Sequence, residues 1–294
     1  EMETTWGDVR SGVWMSQMRT GMLRAPAYPD PRSCRPHLIE LSGSPTRRWP
    51  LIEMCSEISH NRGLMTIASV LPAGSLKGER RVEMERTVRD FLERRGVQAL
   101  SRIITAEDPY EGSRQLVQSY GLGRVAPDTV VIGLREQEPL DAFVHLLEGI
   151  HDANRNLVLF ADGDGRGFRQ HRRVDVWWGG LHANGGLMLI LAYLLRSGIR
   201  WREAELRLNL MVDRREALEP SRINLERVIA GMRIDVRPNV VFSEGRSFDD
   251  ILHESVTDTD LLFLGMADPG PNFIDYYHRL VIRAPSLPPT AYVL

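Results

Sequence analysis

Residues 174–195, VDVWWGGLHANGGLMLILAYLL, constrain the fold more than any other stretch. The run is apolar enough to raise the question of a membrane span. A span needs about 20 consecutive apolar residues. Here the unbroken run is Leu187 to Leu195, preceded by His182, Asn184, Gly185 and Gly186 and closed by Arg196 and Ser197. That is too short to cross a bilayer. Val174–Trp178 is rich in branched and aromatic residues, as strands are. The glycine-rich link is turn-like, Asn184 is placed to cap a helix, and Gly198 is placed to end it. A helix apolar on nearly every side is buried on most of its surface. The stretch therefore predicts a central strand feeding a buried helix. Trp177 and Trp178 alternate across that strand, so they should face opposite sides of a sheet covered by helices on both.

The same alternation of short apolar runs and amphipathic runs fills the chain, the mark of βαβ units and a parallel sheet. Strands are expected at His37–Gly43, Leu64–Leu71, Leu100–Thr105, Thr129–Leu134 and Leu157–Phe160. In the second half they fall at Val174–Trp178, Leu206–Val212, Asn239–Ser243, Leu261–Gly265 and Thr290–Leu294. Helices fit 79–95, 139–152, 185–197, 214–232, 246–256 and 271–283. The fold class is thus α/β: two similar-sized lobes, each a mostly parallel doubly wound sheet with helices on both faces. Residues 1–160 form the first lobe and 174–294 the second. Residues 161–173, ADGDGRGFRQHRR, lack apolar periodicity and read as a linker.

Composition excludes several classes. The formal net charge of −2 over 294 residues leaves no basic footprint for nucleic acid. Two cysteines, Cys34 and Cys55, rule out a disulfide framework and favour reduced thiols in the cytosol. There is no signal peptide, and the absence of Met at position 1 predicts a piece of a longer chain.

Motifs for catalysis are missing. The DGDGRG run at 162–167 resembles a calcium loop, but position twelve is Arg173, where the ion needs a carboxylate. GLGRVA at 121–126 has the letters of a dinucleotide fingerprint, yet it follows a helix and precedes a strand, the reverse of what phosphate binding needs. His145 and His151 lack zinc spacing, and there is no nucleophile elbow. LSGSPT at 41–46 is better placed, following the first strand and opening a helix, with Pro45 near its first turn. The amides of Ser42, Gly43 and Ser44 are candidates to hold the phosphates of ATP or ADP. An ordinary strand-to-helix turn has the same sequence. No cofactor is otherwise implied, and the residues alone predict a two-lobe α/β protein that is not an enzyme.

Seven colinear stretches add a resemblance. They are TTWGDV (4–9), RPHLIELSGSP (35–45), GLGRVAPDTVVIG (121–133), GIHDA (149–153), VDVWW (174–178), GGLMLILAYLL (185–195) and SLPPTAYVL (286–294). Together the chain resembles the C-terminal cytosolic domain of the cation–chloride cotransporters, electroneutral symporters of sodium or potassium with chloride. The resemblance implies a fold similar to universal stress proteins. It implies a regulatory, homodimerising piece at the cytoplasmic face, joined to a transmembrane domain of the same polypeptide. The fragment itself would be soluble. Eukaryotic members carry a long charged insertion between the lobes; the short 161–173 link here suggests a prokaryotic member. The turn after VDVWW is less acidic here than in that family. The competing expectation is a stand-alone nucleotide-binding sensor of the universal stress protein type. Against it, REQEPLDAF after Leu134 lacks that family's glycine-rich phosphate loop. The 269–282 segment, with Tyr276 and Tyr277, is a candidate contributor to a dimer interface.

Overall fold

The computed structural model describes residues 9–24, 36–41, 43–60, 62–76, 78–123, 125–135, 140–163, 165, 167–179, 184–232 and 234–294. The first half runs α1 (Val9–Arg24), β1 (His37–Leu41), α2 (Trp49–Ser59), β2 (Leu64–Pro72), α3 (Gly78–Glu93), β3 (Leu100–Ala106), α4 (Pro109–Ser119), β4 (Thr129–Gly133), α5 (Leu140–Asp152) and β5 (Asn156–Ala161). The second runs β6 (Arg173–Trp177), α6 (Gly185–Arg196), β7 (Glu205–Val212), α7 (Leu218–Met232), β8 (Arg237–Phe242), α8 (Phe248–Ser255), β9 (Leu261–Gly265), α9 (Phe273–Arg283) and β10 (Thr290–Val293). Every expected strand is present, within a residue or two at each end. The helix after β1 starts later than Pro45 suggested: residues 45–47 form a turn, and Pro50 takes the first-turn position, where its missing N–H costs nothing.

The strands form one ten-stranded sheet in the order β3-β2-β1-β4-β5-β10-β9-β6-β7-β8. Each half is doubly wound, as the alternation predicted, and its order is the mirror of the other. The halves do not keep separate sheets. β5 and β10 pair antiparallel, from Ala161↔Thr290 to Val158↔Val293, while the other strand pairs are parallel. Leu157 and Leu294 close the seam by exchanging both backbone hydrogen bonds, at 2.7 and 2.8 Å. The cause is the edge each half would otherwise expose. β5 reads NLVLFA and β10 TAYV, buried nearly throughout, and a buried row of unpaired N–H and C=O groups is costly.

Helices cover both faces and bury two cores. α2, α3, α6 and α7 supply one, with Ile52, Leu92, Leu189 and Leu225. α4, α5, α8 and α9 supply the other, with Leu116, Phe143, Leu252 and Tyr277. Trp178 enters the first and Trp177 the second, where it meets Phe248 edge-on at 5.3 Å. The predicted alternation of the two tryptophans is therefore present, and α6 is the buried helix the sequence implied.

The outer edges of the sheet are blocked. At β3, Glu85 from α3 accepts the Ile103 N–H at 2.8 Å. At β8, the Ser243 N–H reaches Val212 O, so odd-numbered residues address β7 and Pro238 lies on the outward side. An outward proline removes a donor and discourages further pairing.

Residues 161–173 connect β5 to β6, and their described part is pinned. Phe168 meets Trp201 edge-on at 5.2 Å, and His171 meets the same ring at 4.8 Å. Asp260 accepts the backbone N–H groups of Gln170, Arg172 and Arg173 at 2.9, 2.7 and 3.1 Å. Trp201 is fully buried and is the hub of this contact. Trp201→Ala should cost about 3–5 kcal/mol and release the connection. A lower urea midpoint together with faster tryptic cleavage after Arg169 and Arg172 is the expected result; unchanged cleavage would contradict it.

Candidate ligand crevice at the strand switch

In a doubly wound sheet, ligands collect beyond the strand C-termini where the winding reverses. This chain has two such points, between β1 and β4 and between β6 and β9.

At the first, Ser42 lies outside the described residues. Gly43 adopts φ 74°, a left-handed backbone suited to glycine, and its carbonyl accepts the Ser69 hydroxyl. It lines a cavity of about 220 Å³ with Leu41, Val70, Tyr110, Phe143 and Arg135. Ser44 is turned away: its hydroxyl is exposed and pairs with Thr46 Oγ1 at 3.1 Å. Of the predicted phosphate-holding residues described here, only Gly43 thus borders the crevice.

Arginines give this site its charge, and the motif search missed them. Arg48 lays its guanidinium over Gly133 at the end of β4. A Cβ at that position would fall 1.3 Å from Arg48 Nη1, so a larger residue there would displace the guanidinium. Burial, then the nearby charge of Arg135, push the Arg48 pKa below its ordinary value, and Glu40 on β1 opposes the shift. The main chain at Arg135 is clamped by Tyr277, whose hydroxyl accepts the Arg135 N–H at 2.9 Å and donates to the Arg135 carbonyl at 2.7 Å. Burial pushes that phenol well above its ordinary value. Arg47 and Arg48 also line a second cavity of about 390 Å³ with Pro50, Leu134, Asp162 and Ala284. The sequence shows only an arginine pair before a helix, with no spacing to mark it.

The second switch point is filled from within. Asn184 was expected to cap α6, but its side chain makes no cap hydrogen bond. Instead its Nδ2 donates to Met266 O at 2.9 Å and Val293 O at 2.7 Å, satisfying carbonyls at the ends of β9 and β10. These bonds hold Asn184 at the strand tips.

Other polar clusters serve the fold. Asp175, fully buried on β6, receives both arms of Arg207 at 2.6 Å each, Asn209 Nδ2 at 3.1 Å and the Thr259 hydroxyl. Burial alone would lower the Arg207 pKa, but the Asp175 hydrogen bonds and charge outweigh it and raise it. Glu53 on α2 ties the halves together, accepting from His171 Nε2 at 3.1 Å and from Arg200. GLGRVA closes as a tight turn in which Leu122 and Val125 exchange hydrogen bonds, so those two N–H groups are committed to the turn. Tyr277 is fully buried and so is not available as an interface anchor, while Tyr276 is half-buried with its hydroxyl bonded to the Ala267 N–H at 3.2 Å. The amphipathic pattern of α9 turns both rings toward the sheet. Among the described residues no three acidic, histidine or cysteine side chains gather as a metal site, and no helix is long and apolar enough to cross a membrane.

The paired doubly wound halves and the switch-point crevice define an α/β domain with the fold of the universal stress proteins. The family model of solute carrier family 12 matches residues 48–159 and 164–247, more than half of the chain. The chain belongs to that family. Its fold is similar to the cytoplasmic domain of a prokaryotic cation chloride cotransporter, with a TM-score of 0.65 at 15% identity, covering 89% of this chain and 96% of that one. It is also similar to a universal stress protein from Archaeoglobus fulgidus DSM 4304 (TM-score 0.53, 15% identity, 86% and 95% covered). A putative universal stress protein from Pseudomonas aeruginosa UCBPP-PA14 aligns comparably (TM-score 0.53, 10% identity, 89% and 94% covered).

Glu53 sets an acid dependence. Burial raises its carboxyl pKa, but His171 and Arg200 outweigh burial and hold it below the ordinary range. Its stabilisation is therefore complete above the unfolded value of about 4.3 and is lost as pH falls through the lower folded value. Urea midpoints measured down through that window should fall more steeply in the native chain than in Glu53→Gln. Parallel curves would contradict this linkage.

Proposed function

We propose that this chain is a cytosolic regulatory and dimerisation domain of an electroneutral cation–chloride cotransporter. It works at the cytoplasmic face of the membrane, joined to a transmembrane domain of the same polypeptide, and carries no catalysis of its own. Residues 1–160 and 174–294 act as its two lobes, with 161–173 as the link. Membership of solute carrier family 12 carries this reading. The geometry supports it: Arg48 and Asn184 lie across the strand tips where enzymes of this architecture keep their chemistry. Blotting fractionated cells for this domain should give a membrane-bound band far heavier than the 294-residue chain. A soluble band of the chain's own size would instead favour a stand-alone sensor.

Self-association would use helical surfaces, since Glu85 and Pro238 obstruct both sheet edges. A stable dimer buries about 1,200–2,000 Å². Light scattering over a micromolar dilution series should report twice the monomer mass, and Pro238→Val should leave it unchanged. A monomer throughout would contradict intrinsic dimerisation.

A second reading, nucleotide sensing, draws on the cavity at Gly43 and Arg135. Titration calorimetry with ATP and ADP should give heat that Arg135→Ala abolishes. Absence of heat at millimolar ligand would sink it.

A further inference from the structure

α1 stands apart from both cores. Its side chains described in the structure are exposed except Met22, which is half-buried, and none belongs to either apolar cluster. Yet it is not a polar helix. Trp14, Met15 and Met18 are 64, 62 and 49% exposed. At 3.6 residues per turn, Trp14, Met15, Met18 and Met22 share an arc of roughly 100°. Arg10, which already has a partner of its own, and Arg19 fall just outside its two borders, and Arg24 follows on the last turn. The helix sequence VRSGVWMSQMRTGMLR holds three arginines and no acidic residue.

An apolar stripe containing tryptophan, bordered by arginines, fits a water–lipid boundary. The stripe enters the acyl margin while the arginine stems lie along it and their heads reach phosphate. A second copy of α1 fits the same face poorly, because its own arginines would meet these with no carboxylate on either helix. At about 24 Å long, α1 is a surface helix and not a span. We infer that α1 lies in the membrane interface and binds bilayers that carry anionic lipid through its Trp14–Met22 face. This surface is separate from the strand-switch crevice and from the sheet edges, so it stands whether or not the domain dimerises.

The test is cosedimentation of the 294-residue chain with vesicles of phosphatidylcholine, with and without phosphatidylglycerol. Binding is expected only with phosphatidylglycerol present, weakening as salt is raised. Met18→Glu should weaken it about tenfold, and so should replacing Arg19 and Arg24 together by Gln. Both variants should keep the native thermal midpoint. No sedimentation, equal sedimentation on neutral vesicles, or full binding by Met18→Glu would overturn the inference. So would a lowered midpoint in Met18→Glu, which would mean the face packs on the body. A lipid-free dimer that Met18→Glu dissociates would assign the face to a second copy instead.

Discussion

The antiparallel pairing of β5 with β10 is the contact on which the rest of this molecule depends. Without it there would be two five-stranded sheets, each ending in a strand of buried apolar residues with an open hydrogen-bonding edge. With it, the free edges move outward to β3 and β8, where Glu85 and Pro238 deal with them. The seam also fixes how the two faces are covered. α2 packs beside α6 and α5 beside α9, so each core runs continuously from one half into the other. A helix from one half therefore has a neighbour from the other on both sides of the sheet.

Charged groups reinforce the same union. Glu53, His171 and Arg200 come from α2, the 161–173 connection and the segment before β7, and they meet beside Trp201. Such a cluster contributes less to net stability than to alignment, because burying charges offsets much of their attraction. Removing His171 or Arg200 costs more than the cluster contributes, since the Glu53 carboxylate is left buried and less matched. Asp175 with Arg207 plays a comparable part within the second half, aligning β6 with β7.

Much of this was legible in the sequence. Strands and sheet-covering helices announce themselves by period, and VDVWW with its following apolar helix located the second half and its two tryptophans. Four features were not legible, each for a physical reason. Strand pairing across the seam joins TAYV to VLFA, runs that would suit a parallel or an antiparallel neighbour equally. The connection at 161–173 reads as free because its anchors, the rings of Phe168 and His171 and the backbone bonds to Asp260, follow no period. Arg48 over Gly133 is a contact between positions far apart in the chain, with no local spacing. α1 escapes the pattern because its apolar stripe adds to neither core. At the candidate crevice, Gly43 of the turn after β1 borders the cavity. The charge comes from Arg48 and Arg135, and the signal that would have found them is an arginine lying over a glycine far away in the chain, visible only in three dimensions.

A single ten-stranded sheet should unfold as one unit. Native-state hydrogen exchange at the seam amides of Leu157, Leu159, Tyr292 and Leu294 tests this most directly. These amides should exchange only through global unfolding, with the same free energy and denaturant dependence as the centre of each half at β1 and β6. Exchange through a smaller opening, with β1 and β6 still protected, would mean that the halves come apart and the sheet is not one structural unit.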